Sequence, residues 1–159
     1  MFLGNVLSGA AAGLVATLPM TASMEAMFRF LPRHQQYALP PGEITAKLTD
    51  ELGVSDKLDQ PEHVTLTLFN HFAYGAAAGA VYGLVAAALQ TKLRSAPALK
   101  GVGWGFVVWS VSYLGLLPAL GVLRPATQHP GRRNMLMIAA HLVWGSVLGL
   151  LTERWQQSA

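Results

Sequence analysis

The sequence predicts an all-α integral membrane protein, a four-helix up-down bundle within one domain spanning residues 1–159. Three observations carry that prediction. The chain is 52% hydrophobic and only 12% charged, against roughly 25% charged residues in a soluble domain. Its apolar residues fall in four stretches, about 2–28, 66–90, 101–123 and 134–152, and a helix needs roughly 20 such residues to cross a bilayer. Each stretch also holds two glycines four residues apart. Small residues at that spacing let membrane helices approach closely.

Composition narrows the function classes. There is no cysteine, which excludes disulfides, thiolate metal sites and a cysteine nucleophile. The net charge is +3, with Lys and Arg spread over several loops. That distribution suits membrane flanks. No basic patch interleaved with aromatics marks a nucleic-acid partner. The partners implied are the lipid bilayer and other membrane subunits or a second copy of the chain.

The first span, 2–28, has no positive region before it and is long for a signal segment, so it reads as a retained helix. Gly9 and Gly13 share one side of it. Pro19 should kink it and free a carbonyl one turn earlier. Met20, Met24 and Met27 read as flexible packing rather than a copper site. Glu25 sits near the far end, four residues before Arg29, its natural ion-pair neighbour.

Residues 29–63 form a polar insertion. After Pro40-Pro41, the apolar residues Ile44, Leu48 and Leu52 recur every fourth position. That spacing predicts a short amphipathic helix in the first loop, capped by Gly53 and lying at the membrane surface or over the bundle. Asp56, Asp59 and Glu62 read as an acidic linker.

The second span, 66–90, carries Gly75, Gly79 and Gly83 on one stripe. His71 lies on the same stripe, so it faces a neighbouring helix rather than lipid. A loop with Lys92, Arg94, Pro97 and Lys100 leads to the third span, 101–123. Gly101 and Gly105 open that span and Pro118 stands near its end. Arg124, Pro125, His129, Pro130, Arg132 and Arg133 fill the next loop. The fourth span, 134–152, contains Gly145 and Gly149. Glu153, Arg154 and Trp155 close it at the interface.

Spans two and four share the pattern His-x-x-aromatic-Gly-x-x-x-Gly, at His71–Gly79 and His141–Gly149. Leu18-Pro19 and Leu117-Pro118 echo each other in spans one and three. These matches suggest two helical hairpins related by a pseudo-two-fold axis along the membrane normal.

Antiparallel helices bring Glu25, His71, Tyr113 and His141 to one side of the membrane. The loop residues Glu43, His63 and His129 lie there as caps. Ionisable groups inside a membrane point to function by default, and three chemistries suit the set. His71 and His141 could serve as axial ligands to a haem, with the glycine stripes leaving room for the macrocycle. Glu25, His71 and His141 could hold a divalent metal. The same three could relay protons or conduct ions. Beside these stands the plainer reading, in which each histidine hydrogen-bonds a neighbouring helix and no cofactor is bound.

No enzyme motif emerges: there is no His-Glu-x-x-His, no Gly-x-Ser-x-Gly and no phosphate-binding glycine loop. Gly101-x-Gly103-x-Gly105 lacks a preceding strand. The first expectation is therefore a non-enzymatic helix-packing module, an accessory subunit or homo-oligomer. Its warrant is that the glycine pairs offer more close-packing surface than one small bundle needs.

Gly-Ala-Ala-Ala-Gly-Leu-Val-Ala-Thr-Leu-Pro-Met in span one resembles the YagU-type bacterial inner-membrane proteins. So do Leu-Pro-Pro-Gly-Glu-Ile-Thr after it and His-Phe-Ala-Tyr-Gly-Ala-Ala-Ala-Gly-Ala-Val-Tyr-Gly in span two. The resemblance implies a multi-pass protein of the bacterial plasma membrane, with Glu43, His71 and His141 in recurring polar positions. It implies no catalytic role. Counting Lys and Arg by side gives Arg29, Arg33, Lys47, Lys57, Arg124, Arg132 and Arg133 against Lys92, Arg94, Lys100 and Arg154. That balance leans toward both termini outside.

Overall fold

The computed structural model describes residues 2–89 and 96–158. Gln90, Lys92 and Arg94 lie outside the described residues. Helix α1 is Phe2–Phe28, α2 is Pro40–Glu51, α3 is Gln60–Leu89, α4 is Pro97–Ala119 and α5 is Gly131–Ser158. No strand occurs among the described residues. Helices α1, α3, α4 and α5 are long and apolar enough to cross a membrane. The chain is a multi-pass membrane protein built as an all-α four-helix bundle.

Three helices begin before their apolar runs, each for a local reason. Helix α3 starts at Gln60 because Asp59 and Glu62 form a reciprocal cap. The Asp59 carboxylate accepts the Glu62 N–H, and the Glu62 carboxylate accepts the Asp59 N–H, both at 2.9 Å. Of the three acidic residues expected in a linker, Asp59 and Glu62 are thus a capping box, and Asp56 lies in a separate helical turn, Ser55–Lys57. Helix α4 starts at Pro97, whose missing N–H costs nothing at a helix start. It ends in a glycine turn: Gly121 takes φ +66°, and Val122 N–H donates back to Leu117 O at 2.9 Å. Helix α5 starts at Gly131 and runs past its apolar segment. Glu153 pairs with Lys100 of α4 at 3.1 Å, both nearly buried, and Gln156 donates to Gly83 O of α3 at 2.9 Å.

The helices pack in the series α3–α1–α5–α4. Half of the apolar window of α5 is buried, against 28% for each of the other three, so α5 is the centre of the bundle. Glycines make the hairpins. Gly9 and Gly13 of α1 sit against Gly75, Gly79 and Gly83 of α3, and Gly101 and Gly105 of α4 sit against Gly145 and Gly149 of α5. A Cβ on Gly9 would come within 2.8 Å of Gly83 Cα, and one on Gly79 within 2.8 Å of Gly13 Cα. The contacts are backbone on backbone, the arrangement glycine stripes permit.

The two hairpins match, but the bundle does not keep the two-fold. Gly13 meets Gly75 and Gly79 just as Gly101 meets Gly145 and Gly149. That register sets Pro19 opposite position 107, so the Leu-Pro echo at Pro118 is not a structural equivalence. A two-fold would also make α1–α5 and α3–α4 equivalent contacts. Helices α1 and α5 pack along a long seam, whereas α3 and α4 barely touch. Ala12, Ala16, Ala140 and Leu148, on the two seam helices, are fully buried.

Helix α2 lies over the bundle, yet its buried face is not the apolar stripe. Pro40, Thr45 and Thr49 are buried, while Leu48 and Leu52 are 44% and 66% exposed. The Thr49 hydroxyl is satisfied within its own helix, donating to Thr45 O and Ala46 O. Asn70 of α3 donates to Thr45 Oγ1 at 3.1 Å and docks the helix. Leu48 and Leu52 turn outward, away from the bundle. Gly53 caps α2 as expected, at φ +65° with Val54 N–H on Thr49 O.

Candidate functional site: a cavity between α3 and α4

Where α3 and α4 part, the bundle leaves a cavity of about 190 Å³. Its walls come from every helix. They include Thr17 and Met20 of α1, Asn70, His71 and Tyr74 of α3, Val108, Ser112 and Tyr113 of α4, and Met137, His141 and Trp144 of α5. Pro41 and Ile44 of α2 form a roof. His71 and His141 lie about three turns into their helices, at the shared depth the sequence implies.

Helix α4 bends its register to reach the cavity. Val111–Leu116 is a π turn one step before Pro118. Proline lacks the N–H that would bond the carbonyl four residues back, which loosens the turn before it. Neighbouring Ser112 and Tyr113 of that turn are both buried, at 2% and 7% exposure.

The two histidines are held in a defined way. His141 Nδ1 lies 2.8 Å from Met137 O. A carbonyl only accepts, so Nδ1 carries a proton, and in the neutral ring Nε2 then presents a lone pair. His71 Nδ1 lies 3.4 Å from Thr21 Oγ1. The Thr21 hydroxyl donates its own proton to Thr17 O at 2.8 Å, so toward His71 it accepts. In the neutral ring this contact, longer than that of His141, fits the proton on Nδ1. Tyr113 stands edge-on to His141, with ring centroids 5.8 Å apart. Tyr74 bridges the gap, its hydroxyl 2.7 Å from Ser112 Oγ. Deeper along the cleft Trp104 donates to Ala78 O at 3.3 Å and packs on Tyr82.

His71, Tyr113 and His141 therefore come together as expected, and Glu25 does not. Glu25 is exposed and lines no part of the cavity. The packing face of α1 runs through Gly9, Gly13, Thr17, Met20 and Met24, and Glu25 is rotated off it. Among the described residues no three His, Asp or Glu side chains are grouped to hold a metal. The Glu25–His71–His141 set is not assembled. Nor do the glycine stripes leave a slot for a haem: Gly75 and Gly79 face α1, and Gly145 faces α4, at backbone contact. His63 falls in the first turn of α3, away from the cavity.

Above the cavity, one residue that sequence reading treats as membrane flank does structural work. Arg133, 4% exposed, donates to three carbonyls of the strap before α2: Gln35 O, Tyr37 O and Ala38 O, at 2.8–2.9 Å. Its guanidinium stacks 3.6 Å over the Tyr37 ring, and Glu43 of α2 stands 4.0 Å away. His129 completes the clamp, its Nδ1 2.8 Å from Tyr37 Oη. Glu43 and His129 thus belong to the clamp that holds the roof and are absent from the cavity wall.

Compared with known proteins, the chain matches no family model, no curated protein and no solved structure.

Proposed function

We propose that this chain is a membrane-embedded binding module that holds a small apolar molecule between α3 and α4. The observation that carries the reading is the cavity itself. It has about 190 Å³ of space beside two hairpins that are packed at backbone contact. For scale, an apolar cavity of about 150 Å³ takes up benzene. Apolar walls with a few convergent polar groups are the usual form of a small-molecule site. The resemblance to YagU-type proteins supports placing the module in a bacterial plasma membrane.

The expectation of a helix-packing subunit or homo-oligomer loses its main support. Gly9, Gly13, Gly75, Gly79, Gly83, Gly101, Gly105, Gly145 and Gly149 all meet backbone or side chains of the same chain. Ion conduction through Glu25 and the histidines lacks the continuous polar path it needs, since Glu25 stands outside.

Propylbenzene binding to the protein in lipid nanodiscs, counted against protein-free nanodiscs, tests the binding reading. Saturable binding at one molecule per chain is expected, and Val108→Trp, which fills the cavity, should abolish it. Partitioning identical to protein-free nanodiscs would overturn the reading.

A further inference from the structure

We infer that the molecule this cavity is built for is an uncharged, lipid-dissolved hydroxy compound, a phenol or alcohol on a ring-sized apolar body, whose O–H donates to a histidine Nε2. The inference rests on the binding reading above and adds the ligand's chemistry.

Charge is the first constraint. No Asp, Glu, Lys or Arg is among the residues that line the cavity. With both imidazoles neutral, an anion or cation there would lie unpaired within the membrane, at a cost of several kcal/mol or more. The occupant is therefore neutral.

Hydrogen-bond direction is the second. Both imidazoles spend Nδ1–H on protein acceptors, Met137 O and Thr21 Oγ1. Each leaves Nε2 as an acceptor with no protein donor among the described residues. Of the other polar groups in the wall, the Trp144 N–H and the Thr17 hydroxyl donate to Gly13 O and the Asn70 amide donates to Thr45, which leaves the Tyr74, Ser112 and Tyr113 hydroxyls to donate or accept. A carbonyl or ether ligand can serve the hydroxyls but leaves both lone pairs unmet. A hydroxyl ligand donates to Nε2 and accepts from a neighbouring hydroxyl. Leaving a desolvated acceptor unsatisfied costs about 1–3 kcal/mol, so O–H is the group the wall selects.

Access is the third. Tyr74 lines the cavity and is also 46% exposed, and it stands at the middle of α3. The cavity thus borders the outer surface of the bundle between α3 and α4, within the second apolar stretch, 66–90, where lipid rather than water is the neighbour. Its roof is closed by α2 and the Arg133 clamp. The ligand is accordingly one dissolved in the bilayer, passing the Tyr74–Ser112 pair.

Ring-tritiated 4-propylphenol bound to the protein in nanodiscs provides the test, with 4-propylphenol, 4-propylanisole and propylbenzene as competitors. The anisole differs only by blocking the O–H with a methyl group. The phenol should compete at least about tenfold better than the other two, the ratio that one satisfied acceptor is worth. His71→Phe and His141→Phe, made separately, should erase that preference in at least one case while propylbenzene still binds. Equal competition by all three probes would overturn the donor assignment and leave the binding reading standing. Retained phenol preference in both variants would overturn the histidines as acceptors. Absence of saturable binding by any probe would remove the binding reading and this inference together.

Discussion

The seam between α1 and α5 and the cleft between α3 and α4 would be identical under the symmetry of the two hairpins. They are opposites. On the seam helices Ala12, Ala16 and Ala140 are fully buried, and Trp144 of α5 donates to Gly13 O of α1 at 3.1 Å. In the cleft Tyr74, Tyr82, Trp104 and Tyr113 hold the helices apart, meeting through side-chain tips. Duplicated hairpins therefore need not give a duplicated interface. The glycine stripes fix each hairpin, but side-chain bulk on the remaining faces decides which hairpin edges close. The edge lined by large aromatics stays open and becomes the cavity.

The largest test of this contrast removes the roof, which belongs to the cleft alone. Arg133→Ala breaks a buried guanidinium from three carbonyls, an aromatic face and Glu43. Each carbonyl left without its donor where water does not reach costs about 1–3 kcal/mol. The expected outcome is a marked fall in thermal stability, together with new protease cleavage within residues 29–39. A variant that keeps wild-type stability and protease resistance would show that the strap and α2 are held by other contacts.

A smaller effect compares the two edges directly. Ala16→Leu forces a larger side chain into the fully closed seam, where overpacking costs about 1–3 kcal/mol. Val108→Leu adds a single methylene at the cavity wall, where space exists, and should be neutral or slightly stabilising. Chemical or thermal unfolding of both variants in one detergent gives the comparison. Equal losses would mean that the cavity wall is as tightly packed as the seam.

Much of the fold was legible because hydropathy and glycine spacing act locally. Four spans follow from apolar run length, and the hairpin partners follow from glycines at positions four apart. The joint placement of His71, Tyr113 and His141 was legible from antiparallel order alone. The exposure of Glu25 was legible too, since the stripe Gly9-Gly13-Thr17-Met20-Met24 leaves it off the packing face. Asp59-x-x-Glu62 was a readable capping box whose acidity suggested a linker instead. Other features had no local signal. Thr45 and Thr49 bury although they look polar, because the Thr49 hydroxyl donates to its own helix and Thr45 accepts from Asn70. Arg133 earns its burial from carbonyls almost a hundred residues earlier, and basic residues at a span end are ordinarily flanks. The open cleft depends on which faces carry aromatics after the hairpins meet, which is a tertiary outcome.

The finest test concerns the hydrogen bond that spans the cleft. Tyr74 Oη and Ser112 Oγ are 2.7 Å apart, the one pair of hydroxyls joining α3 to α4 among the described residues. Tyr74→Phe and Ser112→Ala each remove one partner without changing the ring or the helix. A net hydrogen bond is worth about 0.5–1.5 kcal/mol, so each single variant should lose about that much. The double variant should lose little more than either alone, giving a coupling energy of similar size in a double-mutant cycle. That coupling would mean the cleft is latched, with the bond as the contact a ligand must break to pass from lipid. Additive losses with no coupling would mean that the aromatic rings alone set the width of the cleft. The same pair of variants should then leave the rate of propylphenol uptake unchanged, whereas a latch predicts faster uptake in both.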